Sequence, residues 1–268
     1  MNNETKNIIE IKNLVKTFDD RSVLDGINLE IPEGEITVIM GGSGCGKSTL
    51  LRHLVGLLTP TEGSIMIDGE NIVGISENGM NCVRRKFGML FQGAALFNSL
   101  TVGENVALPL REHTDLKDTI IQIIVKVKLE LVGLTGFEHF MPHQISGGMK
   151  KRVALARAIA LDPKIVFYDE PGAGLDPITA AMIDQLILDL SRKLRITSVV
   201  VTHEMKSAFR IADKIVILRK GKILETGTGA QIQNSKNSYV QQFISGEPDG
   251  AIPLMQTSEA YLKGLLET

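Results

Sequence analysis

Gly41-Gly42-Ser43-Gly44-Cys45-Gly46-Lys47-Ser48 follows directly on the apolar run Ile36-Thr37-Val38-Ile39-Met40. A G-x-x-x-x-G-K-[ST] pattern entered from a strand reads as the phosphate-binding loop of an NTPase. The strand delivers the chain to a turn that only small residues can follow, and the turn opens a helix. The first N–H groups of that helix lack intrahelical partners and point at an anion. Lys47 is placed to reach the β- and γ-phosphates, and the Ser48 hydroxyl to ligate Mg²⁺. Thr49, next in the turn, joins the nucleotide-binding set. By accident such a pattern is expected in roughly one chain of this length per hundred. A glycine-rich turn with a solvated lysine is therefore the weaker account.

The 268 residues suffice for one large α/β domain, or a core domain with a subdomain. Hydrophobic residues make up 43%, enough to fill a substantial core, while nine Phe, three Tyr and no Trp leave few aromatics for stacking on bases. A net charge of −2 gives no basic excess for a nucleic-acid partner. Cys45 and Cys82 make no disulfide framework, since one lies inside the phosphate loop; both read as reduced thiols of a cytoplasmic protein. Alkylation of Cys45 would obstruct nucleotide entry, although a small buried thiol is the commoner reading of such a residue. The N-terminus lacks the basic start and apolar core of a signal peptide. No stretch approaches the ~20 apolar residues that cross a bilayer. The expectation is a protein soluble on its own, serving any membrane from the cytoplasmic side through a partner.

Along the chain, strands are expected over residues 8–14, 22–31, 36–40, 64–67 and 86–91, with turns at Asp19-Asp20-Arg21, Pro32-Glu33-Gly34-Glu35 and Glu62-Gly63. A helix from Lys47 stops at about Gly56. Residues 93–162 read as a mainly helical insertion, with helices over 116–134 (apolar Ile120, Ile123, Ile124, Val127, Leu131) and 150–161. Strand and helix then alternate: 165–168, 178–194, 198–202, 204–212, 214–218 and 223–225. That alternation argues for a largely parallel, wrapped sheet.

Ile165-Val166-Phe167-Tyr168-Asp169-Glu170 is an apolar strand ending in two acids at the carboxyl edge of the sheet, where ligands bind in open α/β folds. Asp169 can hold Mg²⁺ directly or through water, and Glu170 can polarise a water for in-line attack on the γ-phosphate. An acidic pair after a strand more often caps a helix; paired with the phosphate loop, catalysis is the better account. Ser146-Gly147-Gly148 precedes the helix at 150, with Ser146 as N-cap. Two successive glycines cost entropy that capping does not require, so a second anion site at a positive helix end is expected. His53, His113, His139 and His143 show no ligand spacing and read as surface or core residues.

Together these residues resemble ABC-transporter ATPase domains over residues 8–229. The phosphate loop, Gln92 after Leu90-Phe91, Ser146-Gly147-Gly148, Asp169-Glu170, the Ala173-Gly174-Leu175-Asp176 turn and His203 after Thr202 occur in that family's order. The resemblance implies an α/β P-loop fold with a mixed, mainly parallel sheet, an N-terminal antiparallel β region and a helical subdomain at about 93–162. It implies ATP and Mg²⁺ as cofactors and a head-to-tail dimer with a second copy. Ser146-Gly147-Gly148 of one copy would close over nucleotide held by the other's loop of Gly41, Gly42, Ser43, Gly44, Cys45, Gly46, Lys47, Ser48 and Thr49. Gln92 would sense metal and γ-phosphate, and Ser48, Gln92 and Asp169 would surround the metal. His203 would contact the γ-phosphate and help Glu170 hold the water. Asp176 would lie at the dimer seam, and Phe18 matches the aromatic that stacks on adenine.

Most such ATPases carry Gln where this chain has Met149. A Met there resembles the subgroup serving MCE-linked lipid transporters, and residues 90–102 and 107–114 are similar to the ATPase of the Mla phospholipid system. The implied partners are an integral inner-membrane permease, an MCE-domain protein and a small regulatory subunit, at the cytoplasmic face of the inner membrane; no nucleic acid is implied. The alternative within transport is an importer ATPase for a polar solute such as an amino acid. A chromosome-type ATPase would need long coiled coils, and no heptad run occurs. A ribosome-type one would need two sets of motifs, and one occurs. A scaffold without hydrolysis would lose the catalytic acid, and Glu170 is present. Residues 1–245 are assigned to the ATPase domain and 246–268 to a tail, with a short helix over 258–266, docking on the partner subunit.

Overall fold

The structure, a computed structural model, describes residues 6–247. The expected helix over 258–266 lies outside these residues, as does all but the start of the 246–268 tail. Two sheets face each other. β1 (Asn7–Phe18), β2 (Arg21–Pro32), β4 (Glu62–Ile67) and β5 (Glu70–Asn71) form an antiparallel sheet ordered β2-β1-β4-β5. β3 (Ile36–Gly41), β6 (Phe87–Leu90), β7 (Ile165–Asp169), β8 (Thr197–Val201), β9 (Lys214–Arg219) and β10 (Lys222–Gly227) form the second, ordered β10-β9-β3-β8-β7-β6. Every pairing in it is parallel except β10 with β9.

β3 and β8 are buried at every position, as strands covered on both faces must be. Alternation divides each strand between two cores. Val166 and Tyr168 of β7 join the core on the helical side, with Val38, Met40 and Val200. Ile165 and Phe167 pack the other way, with Ile39 and Val199, against Ile9, Ile11 and Leu14 of the antiparallel sheet. The parallel strands therefore end on a common edge, and the phosphate loop, the acid pair and Thr202-His203 all leave from it.

The helices are α1 (Lys47–Leu54), α2 (Glu77–Arg84), α3 (Val102–His113), α4 (Asp118–Leu131), α5 (Gly147–Ala158), α6 (Pro177–Leu194), α7 (Met205–Ile211), α8 (Gly229–Gln233) and α9 (Ser238–Ser245). Four of them (α2, α3, α8 and α9) have no counterpart in the sequence-based expectation. Pro109 inside α3 disguises it, although a Thr101–Glu104 capping box marks its start. The start of α5 also differs: Gly147 and Gly148 are its first turn rather than its approach. In α4 the core takes Ile121, Val125 and Leu129, whereas Ile120, Ile123 and Val127 of the expected stripe are exposed. Gly246 in left-handed conformation ends α9.

Asn105, fully buried on α3, fastens the segment after β6. Its Nδ2 donates to the carbonyls of Phe97, Leu100 and Thr101, and its Oδ1 accepts from Phe97 N at 2.9 Å. Arg157 of α5 donates to Ala95 O at 2.8 Å and Ala94 O at 3.0 Å. Together they lock the loop between β6 and the helical subdomain. Asn105→Ala is expected to reduce unfolding free energy by about 1–3 kcal/mol, measured by urea or thermal unfolding, because it removes the buried amide that bonds Phe97 N and the carbonyls of Phe97, Leu100 and Thr101.

Candidate nucleotide site

The loop after β3 is shaped by what it must not contain. A Cβ on Gly41 would stand 2.3 Å from Leu218 O of β9, so a side chain has no room. Gly46, at φ 107, is the N-cap of α1 and leaves the first-turn N–H groups without a side-chain cap. Lys47 Nζ donates to Gly41 O at 2.7 Å and Gly42 O at 3.1 Å, parked on the loop's own carbonyls. Phosphate oxygens would compete for that ammonium with a full negative charge. Cys45 is buried, and burial pushes its thiol above the usual range. It is protonated at neutral pH and hence a poor target for alkylation, unlike the expectation from its position alone. Cys82 is exposed, and the two do not bridge.

Across β8 from the loop, β7 ends at Asp169. Glu170 follows at φ 48, an uncommon conformation for a long side chain, and its N–H donates to Val201 O at 2.9 Å. Both of its carboxylate oxygens are engaged: Oε2 accepts from Thr202 Oγ1 at 3.1 Å, and Oε1 lies 2.8 Å from His203 Nδ1. A carboxylate oxygen accepts this bond, so Nδ1 carries the hydrogen, and Nε2 is left on the open side of the ring. Burial, and then the charge of Glu170, raise the Asp169 pKa, while Arg52, Lys151 and Lys47 pull it back. The apex of the site thus holds two carboxylates whose mutual repulsion three cations only partly relieve.

Gln92 is exposed just beyond β6. Ser146 Oγ caps α5, accepting from Met149 N at 3.3 Å. Gly148 has a packing reason of its own, since a Cβ there would lie 2.5 Å from Thr179 Cγ2 of α6. Ser146-Gly147-Gly148 thus packs against the start of α6, whose N-cap is Asp176, Oδ1 accepting from Ile178 N at 3.1 Å and Thr179 N at 3.0 Å. Phe18 stands exposed at the end of β1 with Lys16 Nζ 5.0 Å from its ring centroid, so it is not a core residue. His53 is a core residue, its Nδ1 2.7 Å from Thr49 O; His113, His139 and His143 are exposed. Two contributors escaped the sequence reading. Thr202 has no motif beyond its place before His203. Lys151 could have been found from helical spacing, which aligns it with Gly148 and Leu155 on the buried side of α5.

A helix start bared toward phosphate at the carboxyl edge of a parallel sheet, with paired acids one strand away, defines a P-loop nucleoside triphosphatase. Residues 24–173 match the ABC transporter family model. The chain belongs to that family as an ATP-binding, ATP-hydrolysing subunit. It is 44% identical over 98% of its length to an intermembrane phospholipid transport system ATP-binding protein of Haemophilus influenzae, covering 99% of that relative. A protein of the same description from Escherichia coli is 42% identical over 99% of both chains. A probable ribonucleotide transport ATP-binding protein of Mycobacterium leprae is 42% identical over 94% of this chain and 72% of its own length. Among solved structures, a dimeric ATP-binding cassette in a post-hydrolysis state with ADP and Pi aligns with TM-score 0.76 and 35% identity, over 82% of this chain and 98% of that one. The cbiO1 subunit from Clostridium perfringens, part of an ABC transporter complex, aligns with TM-score 0.80 and 30% identity over 86% and 92% of the two chains.

Lys47→Ala removes the cation that donates to the loop carbonyls of Gly41 and Gly42. ATP affinity, measured by equilibrium binding, is expected to fall about 10- to 100-fold, the range for a hydrogen bond to a charged group.

Proposed function

We propose that this chain is the ATPase of an ABC transporter that energises phospholipid movement between the inner and outer membranes. The observation that carries the phospholipid reading is the likeness to the two phospholipid-system relatives over 98–99% of this chain, far beyond the nucleotide motifs. ATP lies on the bare N–H groups of α1, with Lys47 on its β- and γ-phosphates and the adenine against Phe18. The residues fit Mg²⁺: Ser48, Gln92 and Asp169 offer the hard oxygens it takes alongside substrate phosphates, and Asp169 is a half-buried carboxylate short of positive charge. When bound, Mg²⁺ neutralises charge on the β- and γ-phosphates. Glu170, fixed at both oxygens, orients and deprotonates the attacking water. His203 keeps its Nε2 side for the γ-phosphate and the water.

Ser146, Gly147 and Gly148 belong to the opposite site of a head-to-tail dimer. Supporting this, they pack on α6 beside Asp176 rather than on their own loop, and α6 exposes Ile178 and Met182 near its start. An exposed Ile and Met on a helix end suit a seam between copies. The contact for an integral membrane permease is the apolar groove between β6 and the helical subdomain, lined by Phe91, Phe97, Leu108 and Pro109. No helix among the described residues is long and apolar enough to cross a membrane. The chain meets that partner at the cytoplasmic face of the inner membrane. An MCE-domain protein and a small regulatory subunit complete the assembly.

The mycobacterial relative's name favours a second reading, transport of a polar, phosphorylated solute. Purification of the complex in mild detergent separates the two. Co-purifying MCE-type protein and bound phospholipid are expected; a soluble solute-binding protein in their place would establish the second reading. Glu170→Gln is expected to retain ATP binding, lose about 100-fold or more of turnover, and shift to a dimer on gel filtration with MgATP. A monomeric variant that still hydrolyses ATP would remove Glu170 from its role.

A further inference from the structure

Lys151 sits one turn into α5, just past Gly147 and Gly148, with 5% of its surface exposed. A buried ammonium is costly unless fully partnered, and an apolar residue of similar size would pack there at lower cost. Its Nζ donates to Gln92 O in a very short contact and lies 3.4 Å from Glu170 O. Burial lowers its pKa, and the charges of Asp169 and Glu170 oppose that shift. One side chain thus ties the main chain of two segments assigned to the γ-phosphate to the helix whose first residues belong to the opposite nucleotide.

We infer that Lys151 is a positioning residue that holds the Gln92 loop and the Glu170 turn in register with α5. Movement of Ser146-Gly147-Gly148 onto the second copy's nucleotide then moves Gln92 of the same chain into place beside Glu170. Closure at one site is thereby transmitted to the other through a cation that touches neither nucleotide. The inference rests on the roles proposed above for Gln92, Glu170 and the start of α5. It adds a link between them that no side-chain contact of Gln92 itself supplies among the described hydrogen bonds.

The test is saturation kinetics on the full chain with MgATP. Lys151→Met should lower kcat about tenfold or more, while KM for ATP and equilibrium ATP binding change less than about threefold. Lys151→Arg keeps charge and donors and should restore at least about half of the wild-type kcat. A simple packing defect would not divide kcat from KM in this way, nor respond to Arg. Should Lys151→Met fail to fold, Lys151→Gln, with one amide donor group and no charge, should give an intermediate kcat at unchanged KM. Wild-type kcat in the Met or Gln variant overturns the inference, as does a loss that Arg leaves unrepaired. Glu170→Gln assayed in parallel separates the two levels. If it still turns over ATP, the site reading itself fails. If it is inactive while Lys151→Met is normal, the link alone fails.

Discussion

The first-turn N–H groups of α1 can face a phosphate only where no side chain stands in front of them. Gly41 and Gly46 clear that space with backbone that other residues rarely adopt, at φ 152 and 107. Such a loop cannot hold itself together through side chains. It is instead clamped between two fully buried leucines: Gly41 against Leu218 of β9, and Gly46 against Leu24 of β2. The antiparallel sheet that supplies Leu24 is therefore part of the phosphate site, although it contributes no phosphate contact. The parallel sheet does the same for the acids, since the register of β7 with β8 and of β8 with β3 sets the height of Asp169 above the loop.

Charge at the apex is distributed so that two neighbouring carboxylates repel each other. Asp169 and Glu170 are adjacent and half-buried or deeper, and Lys47, Arg52 and Lys151 lie close enough to act on Asp169. Yet Lys47 donates to loop carbonyls and Lys151 to main-chain carbonyls, so neither forms an ion pair with the acids. Cations that hold backbone in place remain available for negative charge that arrives later. A direct salt bridge in such a setting would have to be broken first, and buried pairs are expensive to break. Glu170 is restrained differently, by Thr202 and His203 at its two oxygens. Those bonds fix the direction of the carboxylate, which the general-base role proposed for it requires before any question of basicity.

The helical subdomain shares one apolar core with the parallel sheet, and a few polar anchors join it to this apex as well. Asn105 and Arg157 secure residues 94–101, and Lys151 secures Gln92 and Glu170. Directional hydrogen bonds of this kind allow a small set of defined arrangements, where apolar contact would allow sliding. α5 and α6 meet where the Thr179 side chain fills the space that Gly148 leaves open, so the two helices that begin at Ser146 and Asp176 move as neighbours.

The sequence by itself determined the phosphate loop, the acidic strand end, the parallel core and most strands. Each of these rests on local rules: glycines where φ is positive, unbroken apolar runs where both faces are covered, acids where a strand ends. Phe18 was legible by resemblance, but its exposure was not. The rest awaited tertiary structure, because its cause lies far along the chain. Pro109 and Asn105 look like helix breakers until the carbonyls of Phe97, Leu100 and Thr101 supply the partners that make α3 worthwhile. Gly148 reads as a flexible entry until Thr179 fills the space beside it. Helical spacing can put Lys151 on the buried side of α5, but only the fold brings Gln92 and Glu170 to it from 59 and 19 residues away. Local chemistry wrote the cradle, and only packing could decide which distant groups would be brought to its rim.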